Sequence, residues 1–221
     1  VSDTGNFIDT KSVVMENMFT QLNNQDRLLI VLHEIYGIDK HIRTVCDYYS
    51  KQGFDIICPN LLGRETPFPY DQQEEAYAYF MRGKGFDAAS LEVKKLIREM
   101  KHSYRSIFLL GFSIGATIAW ICSEGNTECD GIIGYYGSRI RDYLDIHPYP
   151  PVLLIYGDQE GFGLEKLLKG LETKDKVSIS LLPGKHDFAN PYAENYCEQS
   201  YRIALEKAAD FLKTQSAKPL F

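Results

Sequence analysis

With 221 residues, the chain is long enough to bury one full hydrophobic core. Its 44% hydrophobic and 24% charged residues are ordinary for a soluble globular protein, and no apolar run approaches the ~20 residues needed to cross a bilayer. The formal net charge of −6 leaves no basic surplus to neutralise phosphates, so neither nucleic acid nor an anionic membrane is an expected partner.

The opening segment, VSDTGNFIDT, has no basic or apolar stretch of the kind that makes a secretory signal. The five cysteines (Cys46, Cys58, Cys122, Cys129 and Cys197) are odd in number and contain no CxxC pair. That argues against a zinc site or a disulfide framework and for reduced, buried thiols in the cytoplasm.

In chain order, the apolar run Arg27–Leu32 (RLLIVL) predicts a buried strand ending just before His33 and Glu34. A helix is expected over Arg43–Lys51, with Gly53 as its breaker, followed by a strand over Phe54–Cys58 stopped by Pro59. Residues 60–70 (NLLGRETPFPY) carry Gly63, Pro67 and Pro69 and read as a loop, a candidate lid. Helices are expected over Gln72–Met81 and Asp87–Met100, then a strand over Ser106–Leu110 and a helix over Ile114–Cys122. Strands over Gly131–Tyr136 and Val152–Tyr156, a helix over Leu164–Leu171, a strand over Val177–Leu182 and a helix over Ala193–Leu212 complete the chain. Alternating strand and helix predicts a mostly parallel central sheet with helices on both faces, in a single domain spanning residues 1–221. Working residues of such a sheet sit just past the carboxyl ends of its strands.

One motif falls at such an end. Gly111-Phe112-Ser113-Ile114-Gly115 matches G-x-S-x-G, follows the strand SIFLL and opens the helix ATIAWIC. A bare match is common, and the bland alternative is a glycine-rich turn with an N-capping serine. The flanks on both sides favour a nucleophile, Ser113, with the Ile114 amide as an oxyanion donor at the helix N-terminus.

A serine hydroxyl needs a base. Of five histidines, His186 lies in PGKHDF after the last strand and is C-terminal to the serine, as the order Ser, acid, His requires. His33, at a strand end, lines the site or caps the strand; His41, His102 and His147 have no supporting pattern. The acid should come from Gly157-Asp158-Gln159-Glu160-Gly161. Spacing from the glycine favours Glu160, with Asp158 as the alternative, to hold the imidazole tautomer. Tyr135, Tyr136, Tyr77, Tyr79 and Phe80 are candidate pocket residues, although core packing is the commoner role for such aromatics.

Taken together, His33-Glu34-Ile35-Tyr36-Gly37, Cys58-Pro59-Asn60-Leu61, the Gly111–Gly115 turn, Gly134-Tyr135-Tyr136-Gly137, the Gly157–Glu160 loop and Gly184-Lys185-His186-Asp187-Phe188 resemble the dienelactone hydrolase family of α/β-hydrolases. The resemblance implies an α/β-hydrolase fold, ester or lactone hydrolysis, and a glutamate at Glu34 contacting the nucleophile. It also implies that the Ile35 amide is a second oxyanion donor and that Tyr36, Tyr77 and Asn190 line the substrate site.

Two departures from the family stand out. The best-known members use cysteine where this chain has Ser113. The two arginines that bind a substrate carboxylate are replaced by Asn190 and, before the tyrosine matching Tyr77, by Gln73. Losing both removes the charge-assisted bonds a carboxylate needs, unless Arg64, Arg82 or Arg139 supplies them. The expectation is therefore a serine hydrolase of a small ester or lactone that needs no cofactor or metal and is a monomer or homodimer. A thioesterase or acyltransferase on the same scaffold and a non-catalytic binding protein are the alternatives.

Overall fold

The computed structural model describes residues 17–161 and 163–217. The opening segment read for a secretory signal lies outside them, as does Phe162. Among the described residues, no helix is long and apolar enough to cross a membrane.

Among the described residues, seven strands form one sheet in the order β1-β3-β2-β4-β5-β6-β7. They are β1 (Met18–Gln21), β2 (Arg27–Leu32), β3 (Asp55–Pro59), β4 (Ser106–Phe112), β5 (Gly131–Tyr135), β6 (Val152–Gly157) and β7 (Val177–Leu182). The short β1 lies antiparallel on β3, and every other pair is parallel. At the centre, all seven residues of β4 are buried. Such a strand reads as a continuous apolar run because helices cover both its faces. Each Ile, Leu or Phe it buries stabilises by about 1.5–3 kcal/mol.

The helices are α1 (Lys40–Lys51), α2 (Gln73–Arg82), α3 (Gly85–Met100), α4 (Ile114–Cys122), α5 (Leu164–Leu171) and α6 (Glu198–Ser216). α4 is buried all round, as its small and apolar sequence dictates. α1 starts three residues earlier than the periodicity suggests, because Asp39 caps it by accepting from the Ile42 amide at 2.9 Å. α6 starts later than expected. Turns at residues 187–197, including an Asn190 side chain that accepts from the Tyr192 amide, carry the chain from the site to the helix. β1 was not expected; four residues at a sheet edge carry too little pattern to stand out.

The strand order sets the location of the site. From β2 the chain moves to β3 on one side, then crosses back to β4 on the other. The adjacent carboxyl ends of β2 and β4 therefore form a topological switch point, where loops diverge and leave a crevice.

Candidate active site

Ser113 sits at this switch point. β4 runs into Gly111 and Phe112, and the chain then turns into α4 with Ser113 at φ 51° and ψ −111°. A non-glycine residue in such a region costs about 1–3 kcal/mol and persists only where its surroundings enforce it. The enforcement is visible in the two glycines. A Cβ on Gly111 would lie 2.3 Å from the Gly115 carbonyl oxygen, and one on Gly115 would lie 2.2 Å from that of Leu32. Strand, turn and helix are therefore packed backbone to backbone. The Ser113 amide donates to the Tyr135 carbonyl at 3.0 Å, pinning the turn to β5.

His186 arrives from the loop after β7. Its Nε2 lies 3.2 Å from Ser113 Oγ, and its Nδ1 lies 2.8 Å from Glu160 Oε2. The Glu160 side chain is fully buried, whereas that of His186 is 29% exposed, so the imidazole faces both the carboxylate and the crevice. Burial disfavours the imidazolium, but the Glu160 hydrogen bond and the Asp187 charge outweigh it and hold the His186 pKa above its ordinary value.

Asp158 has a different job. Its Oδ1 accepts from the Gly184 amide at 3.0 Å, while its own amide donates to the Leu182 carbonyl. It latches the β6 loop to the β7 loop, which approach so closely that a Cβ on Gly157 would lie 2.4 Å from the Gly184 carbonyl oxygen. Of the two acids that compete in the sequence, only Glu160 is hydrogen-bonded to His186.

The Ile35 and Ile114 amides make no hydrogen bond within the described residues. Ile114 opens α4, where a first-turn amide has no partner inside the helix. Ile35 follows the end of β2, the strand adjacent to β4.

Glu34 departs from what the family resemblance implies. It makes no hydrogen bond to Ser113; its Oε1 instead accepts from the Tyr136 hydroxyl at 2.7 Å. Burial, then the Asp187 charge, push its carboxyl well above the usual range, and the Tyr136 bond offsets only part of this. Tyr136 lies just past β5, with φ 41°, and its ring centroid is 4.8 Å from that of His186. Tyr135 and Tyr136 are both buried in the core, and Tyr136 also contacts Glu34 and His186.

His33 caps the strand end. Its Nε2 accepts from the Leu61 amide at 2.9 Å and its Nδ1 lies 2.6 Å from the Glu34 carbonyl, which fixes the start of the loop over residues 60–70. Burial lowers its pKa to about 4, keeping it neutral. That loop is tied down further by the Phe68 amide on the Tyr36 carbonyl and by the Tyr70 hydroxyl on Asp39 Oδ2 at 2.6 Å. The Asn190 amide reaches the Tyr70 hydroxyl at 3.3 Å, and the Tyr36 and Tyr70 rings meet edge to face at 4.7 Å.

Tyr36 and Asn190 thus share one wall. Tyr77 does not join it; it packs half-buried on the core, with no hydrogen bond or ring contact to Ser113 or His186. Two of the three candidate replacement cations are engaged elsewhere. Arg139 pairs with Asp142 at 2.8 Å, Arg64 lies over the Phe68 ring at 3.8 Å, and Arg82 ends α2. Asp39, Tyr70 and Asp187 were not singled out from sequence. The acidic residue ahead of α1 was a legible capping signal for Asp39, but nothing local pointed to Tyr70.

The chain matches the sequence model of the Dienelactone hydrolase family over residues 17–216. An uncharacterized protein of Bacillus subtilis, YczH, is 36% identical over 167 residues, covering 74% of this chain and 81% of that protein. A carboxymethylenebutenolidase of Pseudomonas putida is 25% identical over 208 residues, covering 87% of this chain and 88% of that one. Among solved structures, a putative dienelactone hydrolase from Klebsiella pneumoniae superposes with a TM-score of 0.72 at 18% identity, covering 87% and 89% of the two chains. The Pyrococcus furiosus esterase Pf2001 does so with a TM-score of 0.65 at 16% identity, covering 90% and 87%. These structural likenesses establish the α/β-hydrolase fold.

Proposed function

The chain belongs to the dienelactone hydrolase family, and we propose that it is a serine-dependent hydrolase of a small ester or lactone lacking a carboxylate, working through an acyl-enzyme. The observation that carries this reading is the unbroken line from Ser113 Oγ through His186 to Glu160, at 3.2 and 2.8 Å.

In the first half-reaction, His186 Nε2 takes the hydroxyl proton as Ser113 Oγ bonds to the substrate carbonyl carbon. The carbonyl oxygen becomes an oxyanion facing the Ile35 and Ile114 amides, which need no reorganisation to receive it. Glu160 holds the imidazole tautomer and stabilises the imidazolium. Collapse breaks the bond to the alkoxide, which takes the proton from Nε2 and leaves. In the second half-reaction, water gives its proton to Nε2 and attacks the acyl carbon; collapse breaks the bond to Ser113 Oγ, which takes that proton back from Nε2. Glu34 acts at one remove: it fixes the Tyr136 hydroxyl, and the Tyr136 ring packs on His186.

The substrate preference follows from Asn190 and Gln73 standing where the family resemblance places a carboxylate-binding pair of cations. Relatives named as carboxymethylenebutenolidases support ester or lactone hydrolysis. The test is hydrolysis of a panel of short p-nitrophenyl esters and neutral lactones by the wild type and by Ser113→Ala. The substitution is expected to lower kcat by about 10⁴ or more, and a variant retaining wild-type turnover would refute the nucleophile assignment.

A further inference from the structure

β7 ends the sheet and has a neighbour on one side only, β6. The Lys176 carbonyl before the strand and the Leu182 carbonyl at its end accept from the Val152 and Asp158 amides at 2.9 and 2.8 Å. Backbone groups alternate in direction along a strand. Ser178 and Ser180 therefore also face β6, and the groups of Val177, Ile179 and Leu181 point away from it. The Val177 amide is taken by the Lys174 carbonyl at 3.0 Å. Among the described residues, the amides and carbonyls of Ile179 and Leu181 have no backbone partner.

An unpaired edge is a template for another strand, and proteins blunt it with charge, proline, a bulge or shortness. The opposite edge, β1, has four residues. β7 has six, Val-Ser-Ile-Ser-Leu-Leu, without a charge or a proline, in unbroken register with β6. Leu181 is 47% exposed and shares a face with Val177 and Ile179, which are only partly buried.

This edge is complementary to itself. Antiparallel pairing about a two-fold axis at Ser180 sets Ile179 opposite the partner's Leu181, and Leu181 opposite the partner's Ile179. Each pair exchanges both of its backbone hydrogen bonds and packs two apolar side chains on one face. The same axis sets Asp175, which is exposed, opposite the partner's Lys185, and Lys185, also exposed, opposite the partner's Asp175. An axis at Ile179 would match outward groups as well. It would set Asp175 against the partner's Pro183, however, and call on the Val177 amide, which is already engaged.

We propose that β7 is a dimerisation edge, joining two copies of this chain antiparallel about Ser180 into one continuous sheet. The two-fold axis makes the contact closed, so that it stops at a dimer.

Sedimentation velocity of the full chain between about 1 µM and about 1 mM tests this. The wild type is expected to pass from monomer to dimer over that range. Leu181→Lys, at an exposed position, should stay monomeric throughout, with unchanged circular dichroism and melting temperature. Asp175→Lys, in the exposed turn before the strand, should weaken the dimer about tenfold by opposing the partner's Lys185. Adding Lys185→Asp to it should restore the wild-type dissociation constant. A monomer at every concentration, a dimer that survives Leu181→Lys, indifference to Asp175→Lys, or failure of the double charge exchange to restore association overturns the proposal. The readout is mass rather than turnover, so the result is independent of the serine-hydrolase reading.

Discussion

The Tyr136 hydroxyl donates to Glu34 Oε1 at 2.7 Å in a layer where neither side chain reaches solvent. The bond joins the loop after β2 to the loop after β5 across the intervening strand β4, and so spans the base of the serine turn. Tyr136→Phe removes the donor and leaves a buried acceptor unpaired. We expect it to lower stability by about 1–3 kcal/mol, read as a reduced urea midpoint at an unchanged denaturant slope. Unchanged stability would show that the bond carries no structural weight.

The division of labour between Glu160 and Asp158 is testable through kcat. Glu160→Gln keeps the shape but loses the charge facing His186 Nδ1, and should lower kcat by roughly 10⁴, as expected when the imidazole is no longer held in the right tautomer. The acid limb of kcat/KM against pH, which lies above 6.5 in the wild type because the folded His186 pKa is raised, should move to lower pH. Asp158→Asn preserves an acceptor for the Gly184 amide and should retain most of the wild-type kcat. The reverse ranking would make Asp158 the acid.

His41 gives a prediction about acid stability. It is fully buried against the Phe112 ring at 4.8 Å, neither ring nitrogen has a hydrogen-bond partner although Nδ1 lies 3.9 Å from Glu34 Oε1, and burial lowers its pKa to about 3. The unfolded chain takes up this proton near pH 6.5 and the folded chain does not. The neutral His41 therefore carries no proton-linked penalty above that pH and an increasing one as the pH falls toward 3. Glu34 shifts in the opposite sense, so the informative quantity is a difference between two proteins. The stability of His41→Phe relative to wild type should rise by about 3 kcal/mol between pH 7 and pH 4. Parallel stability curves over that range would contradict the assignment.

The parts of the molecule legible in the sequence are those with strong local signals. Buried strands such as β4 announce themselves as apolar runs, and the serine turn carries two glycines because backbone atoms stand 2.2 and 2.3 Å from where a Cβ would be. The edge strand β1 and the start of α6 were not legible, since a four-residue edge strand and a series of short turns leave little periodicity. Proximity between distant loops was harder still. Nothing near Tyr70 in the chain indicates that its hydroxyl meets Asp39 and Asn190, and nothing near Glu34 indicates that it bonds to Tyr136 rather than to the serine. Those contacts arise only when the strand order brings the carboxyl ends of β2, β4 and β5 together.

The central claim is that His186 activates Ser113, and the most direct measurement is labelling by a fluorophosphonate probe with the modified residue mapped by mass spectrometry. The account predicts labelling at Ser113 in the folded wild type and its loss in His186→Ala. Absence of labelling in the folded wild type, labelling at another residue, or undiminished labelling in the variant would contradict it.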